Sequence, residues 1–196
     1  ATARLAADKP DVIILDLEDA VAPEAKEDAR TAAIATAAEG GFGHRELVIR
    51  INALDTPWGQ DDLAAVAKAD IDGVLVPKVM RPADITACNA ALAEAPSRLK
   101  LWAMIETCAV VPHLDALAAL GGSTRLSTFV MGVNDLAKEM RARLTPERTP
   151  FLPILTLAVA AARAHGVAVL DGVCNEFRDL AVFEAEAHQG LLFGFD

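Results

Sequence analysis

Acidic and basic side chains recur in this sequence where apolar runs end: Glu18 and Asp19, Arg50, Lys78, Glu106, Asp135 and Asp171, with Asn134 beside Asp135. Five carboxylates face two cations in that set, an excess of three negative charges that calls for a bound cation. His44, His113, His165 and His188 fall in loops or helices without metal-ligand spacing, so oxygen donors are left to do the binding. Oxygen ligands favour a hard ion, Mg²⁺ or Mn²⁺, which takes one or two carboxylates and leaves its other positions to water and substrate. Glu106 and Asp135, closing successive strands, are the expected metal ligands.

Arg50 poses a second problem. In Glu46–Asn52 the side chains of Val48, Arg50 and Asn52 share one face of a strand, and Leu47, Ile49 and Ile51 the other. A guanidinium turned inward needs a carboxylate or an anionic ligand. Asp16 and Glu18 share a face of the first strand, with Asp19 at the turn; an ion pair of Arg50 with Glu18 or Asp16 is one reading, and an anionic ligand is the other. Lys78 and Asn134 are expected to meet substrate together with Arg50. Cys108 and Cys174 lie near strand ends but have no histidine partner in sequence, so both read as small buried residues. Trp58 reads as loop packing.

These residues need a scaffold that gathers strand ends on one face. Six β-branched runs read as buried strands: Asp11–Leu17, Glu46–Asn52, Gly73–Lys78, Lys100–Glu106, Thr128–Val133 and Val167–Gly172. Stretches with helical spacing lie between or after them, at Glu24–Glu39, Gly59–Ala69, Pro82–Ala95, Ala109–Leu120, Phe151–His165 and Asp179–Gln189. Strand followed by helix, repeated, implies parallel βα units. No GxGxxG follows the first strand, which disfavours a dinucleotide-binding sheet, and polar strand ends favour a TIM (β/α)8 barrel, whose active sites occupy that face. A barrel has eight strands in about 250 residues. The expectation is therefore a single, partial barrel domain over 1–196 with its first and last strands missing: Ala1–Ala7 reads as the tail of a helix, and Gly190–Asp196 as a lead into a further strand.

The 196 residues carry 18 Lys+Arg against 28 Asp+Glu, a net charge of −10, and 53% are hydrophobic. No basic cluster suggests nucleic acid, no apolar run suggests a membrane span, and three scattered cysteines suggest neither a disulfide framework nor a zinc site. A cytoplasmic protein is expected.

The segments DVIILDLEDAVAPEAKEDAR (Asp11–Arg30), VIRIN (Val48–Asn52), VLVPKV (Val74–Val79), MIET (Met104–Thr107), GVNDLAKEM (Gly132–Met140) and AARAHGVAVLDGV (Ala161–Val173) resemble the citrate lyase beta subunit family. That family is grouped with the HpcH/HpaI aldolases in the phosphoenolpyruvate/pyruvate superfamily. The resemblance implies a TIM barrel in which Glu106 and Asp135 bind Mg²⁺, Arg50 contacts the keto-acid part of the substrate, and Glu18 and Asp19 form the acidic pair beside it. It implies carbon–carbon lyase chemistry on a 3-hydroxyacyl-CoA of the citryl-, malyl- or citramalyl-CoA type, giving a 2-oxo acid and acetyl-CoA, in a homotrimer. A malyl-CoA-type thioesterase, a CoA-free 2-oxo acid aldolase and a non-catalytic subunit of a lyase complex are the alternatives.

Overall fold

Alternation of apolar β-branched runs with alanine-rich stretches produces the βα repeat seen in the computed structural model, which describes residues 10–176 and 178–196. The chain divides into two compact units. One runs to Pro77 and takes in Cys88–Leu101; the other comprises Lys78–Ala87 and Trp102–Asp196.

In the first unit β1 (Val12–Asp16), β2 (Glu46–Arg50) and β3 (Gly73–Val76) lie side by side in that order. The β1–β2 pairing is parallel and in register from Val12 opposite Glu46 to Asp16 opposite Arg50, so the acid and the base end their strands as neighbours. Leu47, Val48 and Ile49 are all buried, as both faces of a parallel strand should be. A 3-10 turn at Pro23–Ala25 leads into α1 (Lys26–Glu39), which buries Ala33 and Ala37. After β2, α2 (Gly59–Val66) buries Asp62, Leu63 and Val66. Its first residue must be small: a Cβ on Gly59 would lie 2.2 Å from the Ala53 carbonyl oxygen.

Helix α3 (Pro82–Ala91) and strand β4 (Lys100–Ile105) each supply residues to both units. In the second unit, β5 (Leu126–Met131) pairs in parallel with β6 (Ala168–Leu170), matching Phe129 to Val169. The Gly132 N–H donates to the Ile105 carbonyl at 3.0 Å, tying the end of β5 to the end of β4. Short α4 (Leu114–Ala118) and long α6 (Leu152–His165) pack through Leu114, Leu117, Leu155, Ala158 and Ala162. Helix α7 (Leu180–Phe193) starts at Asp179, whose carboxylate accepts from the Ala181 and Val182 N–H groups.

Three departures from the sequence reading have physical causes. The run Thr128–Val133 does not stay extended: the chain turns at Gly132, and Val133, Leu136 and Ala137 form the buried stripe of α5 (Val133–Met140). Asp135 thus sits in the first turn of a helix rather than closing a strand, where a carboxylate suits the helix dipole. The stretch Ala109–Leu120 is broken into a 3-10 turn at Val111–His113, α4 and a second 3-10 turn at Ala119–Gly122, because Pro112 cannot donate within a longer helix. Gly190–Asp196 supplies the last turn of α7, closed by Gly194 at φ 88°, and then a tail whose Asp196 carboxylate pairs with Arg163 and accepts from the Val169 N–H. The expected helix tail at Ala1–Ala7 lies outside the described residues. Among them, no helix is long and apolar enough to cross a membrane.

Candidate functional site

The strand ends bear two acid–base groups, one in each unit. In the first, the β1–β2 register delivers Asp16 to Arg50. The guanidinium grips the carboxylate with both arms, Nε to Oδ1 at 2.7 Å and Nη2 to Oδ2 at 2.5 Å, and its remaining arm lies 3.2 Å from Glu18 Oε2. Asp16 also accepts from the Glu18 and Ala20 N–H groups at 2.9 and 3.1 Å, so one carboxylate shapes the turn as well as the arginine. Burial raises the Asp16 pKa, but the Arg50 hydrogen bonds, these N–H donors and the Arg50 charge outweigh it and hold the carboxyl below its ordinary value. Burial opposes the Arg50 charge too, and Asp16, Glu18 and Asp19 override it, pushing the arginine further up. Asp19 itself is exposed.

Beneath this turn is a residue the sequence reading passed over. Lys26 is buried at the start of α1, and its Nζ donates to the Leu17 and Glu18 carbonyls at 2.8 and 2.6 Å while sitting 5.6 Å from the Trp58 ring centroid. It therefore clamps the backbone that carries Glu18. Among surface-type charges on an alanine-rich helix, nothing in the sequence marked it. Asn52, also on the Arg50 strand run, is held by Asp62, which accepts from its N–H at 3.0 Å and its Nδ2 at 2.7 Å.

The second group is Lys78, Glu106 and Asp135. Glu106 directly follows β4 and is 1% exposed. The Lys78 N–H donates to its Oε1 at 2.7 Å, and Lys78 Nζ turns back to lie 3.3 Å from the same oxygen while bonding Asp135 Oδ2. Burial raises Glu106, Lys78 counters and Asp135 reinforces, so Glu106 lies above its ordinary value; burial likewise opposes ionisation of Asp135, but Lys78, Glu106 and Lys138 hold it below. The surroundings fix this geometry. Thr107 Oγ1 donates to the Val79 carbonyl at 2.8 Å, and the Cys108 N–H donates to Glu139 Oε2 at 2.6 Å, joining the turn after β4 to the loop after β3 and to α5. Gly132 is required: a Cβ there would stand 2.4 Å from Glu106 Cβ and 2.8 Å from its Oε2. Nothing in the local spacing of the sequence marks it.

Two carboxylates without imidazole or thiolate suit a hard cation that keeps part of its water shell, so these residues fit Mg²⁺. No group of three or more His, Cys, Asp or Glu residues suited to a metal occurs among the described residues. Asn134 turns elsewhere. Its amide and that of Asn175 bond reciprocally at 3.0 and 2.9 Å, on the wall of a cavity of about 550 Å³ that also takes in Leu144, Arg148, Val173 and Glu176. Buried Arg148 bonds Asp171 at 2.6 Å and Gln189 at 2.7 Å, which removes Asp171 from the open acidic set. The cysteine expectation is corrected: Cys108 is exposed and Cys174 intermediate, because both lie on turns after their strands, and Cys88 in α3 is the buried one.

Comparison with known proteins agrees with this architecture. The chain is 45% identical over 186 residues to the (3S)-malyl-CoA thioesterase of Cereibacter sphaeroides strain KD131, covering 95% of this chain and 63% of that protein. It is 33% identical over 217 residues to the L-malyl-CoA/beta-methylmalyl-CoA lyase of C. sphaeroides strain ATCC 17029, covering 97% and 68%. The citrate lyase beta subunit of Mycobacterium tuberculosis, solved with oxaloacetate and magnesium, superposes with a TM-score of 0.80 at 28% identity over 100% of this chain and 84% of that one. The chain thus spans about 63% of the length of the thioesterases it is similar to, and its fold is α/β of the TIM-barrel class. With the family profile matching residues 1–196, the chain belongs to the HpcH/HpaI aldolase/citrate lyase family.

Proposed function

We propose that this chain carries Mg²⁺-assisted chemistry on a short 3-hydroxyacyl-CoA of the malyl-CoA type, and that the reaction is hydrolysis of the thioester. The observation that carries the chemistry is the Glu106–Asp135 pair, two oxygen donors held together with a lysine ammonium between them. Identity of 45% to malyl-CoA thioesterases supports the substrate and the hydrolytic outcome. When bound, the cation supplies Lewis-acid polarisation of a substrate oxygen.

The chain's own residues do the rest. Glu106 and Asp135 hold the cation, and Lys78 neutralises anionic charge near them. Arg50 is fixed by Asp16, which gives its guanidinium one orientation toward a substrate carboxylate or a developing oxyanion. The proton-accepting role is assigned to Glu18 and Asp19, which take the proton from water in hydrolysis or from the substrate hydroxyl in cleavage. Lyase action is the second reading, favoured by the 33% identity to malyl-CoA lyases.

Incubating the intact protein with malyl-CoA, with Mg²⁺ or with EDTA, separates the readings by product. Hydrolysis breaks the C–S bond with water and yields malate and free CoA, the expected result; cleavage of the C–C bond yields glyoxylate and acetyl-CoA. Consumption that is absent, or indifferent to EDTA, overturns the proposal.

A further inference from the structure

The geometry points to Lys78 as an intramolecular stand-in for the divalent cation: its ammonium holds the Glu106–Asp135 pair together until the cation enters, and entry expels it. The expelled ammonium stays tethered beside the site, where an anionic substrate group can take it. This rests on the proposed metal role of Glu106 and Asp135.

Three observations carry it. First, Glu106 Oε1 is bracketed by one residue, with the Lys78 N–H at 2.7 Å and its Nζ at 3.3 Å, and the same Nζ bonds Asp135. Mg²⁺ binds carboxylate oxygen at about 2.1 Å, so cation and ammonium would crowd the same two carboxylates as like charges. Second, Lys78 has φ 53°, a left-handed conformation uncommon for a residue with a side chain. That turn aims both its N–H and its side chain at Glu106. The N–H anchor keeps Glu106 oriented when Nζ leaves, so the site survives the exchange. Third, lysine is a point charge on a flexible stem, and this side chain is 35% exposed, leaving it a way out.

The test compares Mg²⁺ titrations of the intact wild type, Lys78→Gln and Asp135→Asn by calorimetry. Removing an internal competitor should make Lys78→Gln bind roughly fivefold tighter, the scale of a partly exposed ion pair, while Asp135→Asn binds more weakly. Unchanged or weaker binding by Lys78→Gln, with wild-type binding intact and lost in Asp135→Asn, overturns the stand-in role and leaves the metal site standing. No binding by wild type or by Lys78→Gln removes both. A second measurement needs no variant: reductive methylation of Lys78, read by peptide mass spectrometry against exposed Lys100, should speed up severalfold when Mg²⁺ is added. An unchanged or slower rate overturns the exchange.

Discussion

The two acid–base groups have the same ingredients, two carboxylates and one basic side chain, and opposite characters. Around Arg50 each charge has a fixed partner: Asp16 takes a two-armed grip plus two backbone donors, and its carboxyl is driven below its ordinary value. Around Lys78 one ammonium serves two carboxylates, and the deeper of them, Glu106, is driven above its ordinary value. A planar fork locks; a point charge on a flexible stem can be replaced. The first group is built to keep its cation and the second to exchange it.

The largest expected effect tests the locked group. Arg50→Lys keeps the charge but loses the fork, and turnover of malyl-CoA should fall roughly a hundredfold with Mg²⁺ affinity unchanged. Activity within a few fold of wild type would mean that the group needs charge alone, and the contrast with Lys78 would collapse. Next comes the clamp under it. Lys26→Met strands the Leu17 and Glu18 carbonyls in a buried site and should cost about 2–3 kcal/mol in urea unfolding. A loss below about 0.5 kcal/mol would show that water replaces the clamp and that the turn is looser than its bonds suggest.

These residues also show how far the sequence could be read. Strand positions are legible because β-branched runs have a period and strand ends are polar; that brings out Arg50, Glu18, Glu106 and Asp135 and leaves Glu18 or Asp16 as the arginine's carboxylate partner, and the guanidinium meets both. Asp135 was assigned to a strand end because Val133 prolongs an apolar run, and only the turn at Gly132 moves it onto a helix. Lys26 and Gly132 were missed for a shared reason. Their importance lies in what stands next to them in space, a carbonyl pair and a carboxylate stem, and neither neighbour is visible in local spacing.

Gly132 sharpens the comparison from the other side. In Gly132→Ala the new Cβ meets the Glu106 stem, which cannot swing aside as a side-chain tip could, so Glu106 must shift. Mg²⁺ affinity should drop about tenfold, the usual size of an effect transmitted to a ligand by its support. Binding equal to wild type would show that the Glu106 position is not what holds the ion.

The smallest effect concerns acid. Because the folded state holds the Asp16 carboxyl below its ordinary value, its ion pair contributes stability that is full above the unfolded pKa of about 3.9 and is lost as pH falls through the lower folded value. Wild type and Asp16→Asn should therefore differ most in unfolding free energy near neutral pH and converge as the solution is acidified below pH of about 4. Asp196, also held below its ordinary value by Arg163, contributes equally to both proteins and cancels from the difference. A gap that stays constant down to the acid limit would assign the loss to packing or to the two N–H bonds rather than to the charge on Asp16. The locked group would then be held by shape, and its electrostatic contrast with the Lys78 group would have to be given up.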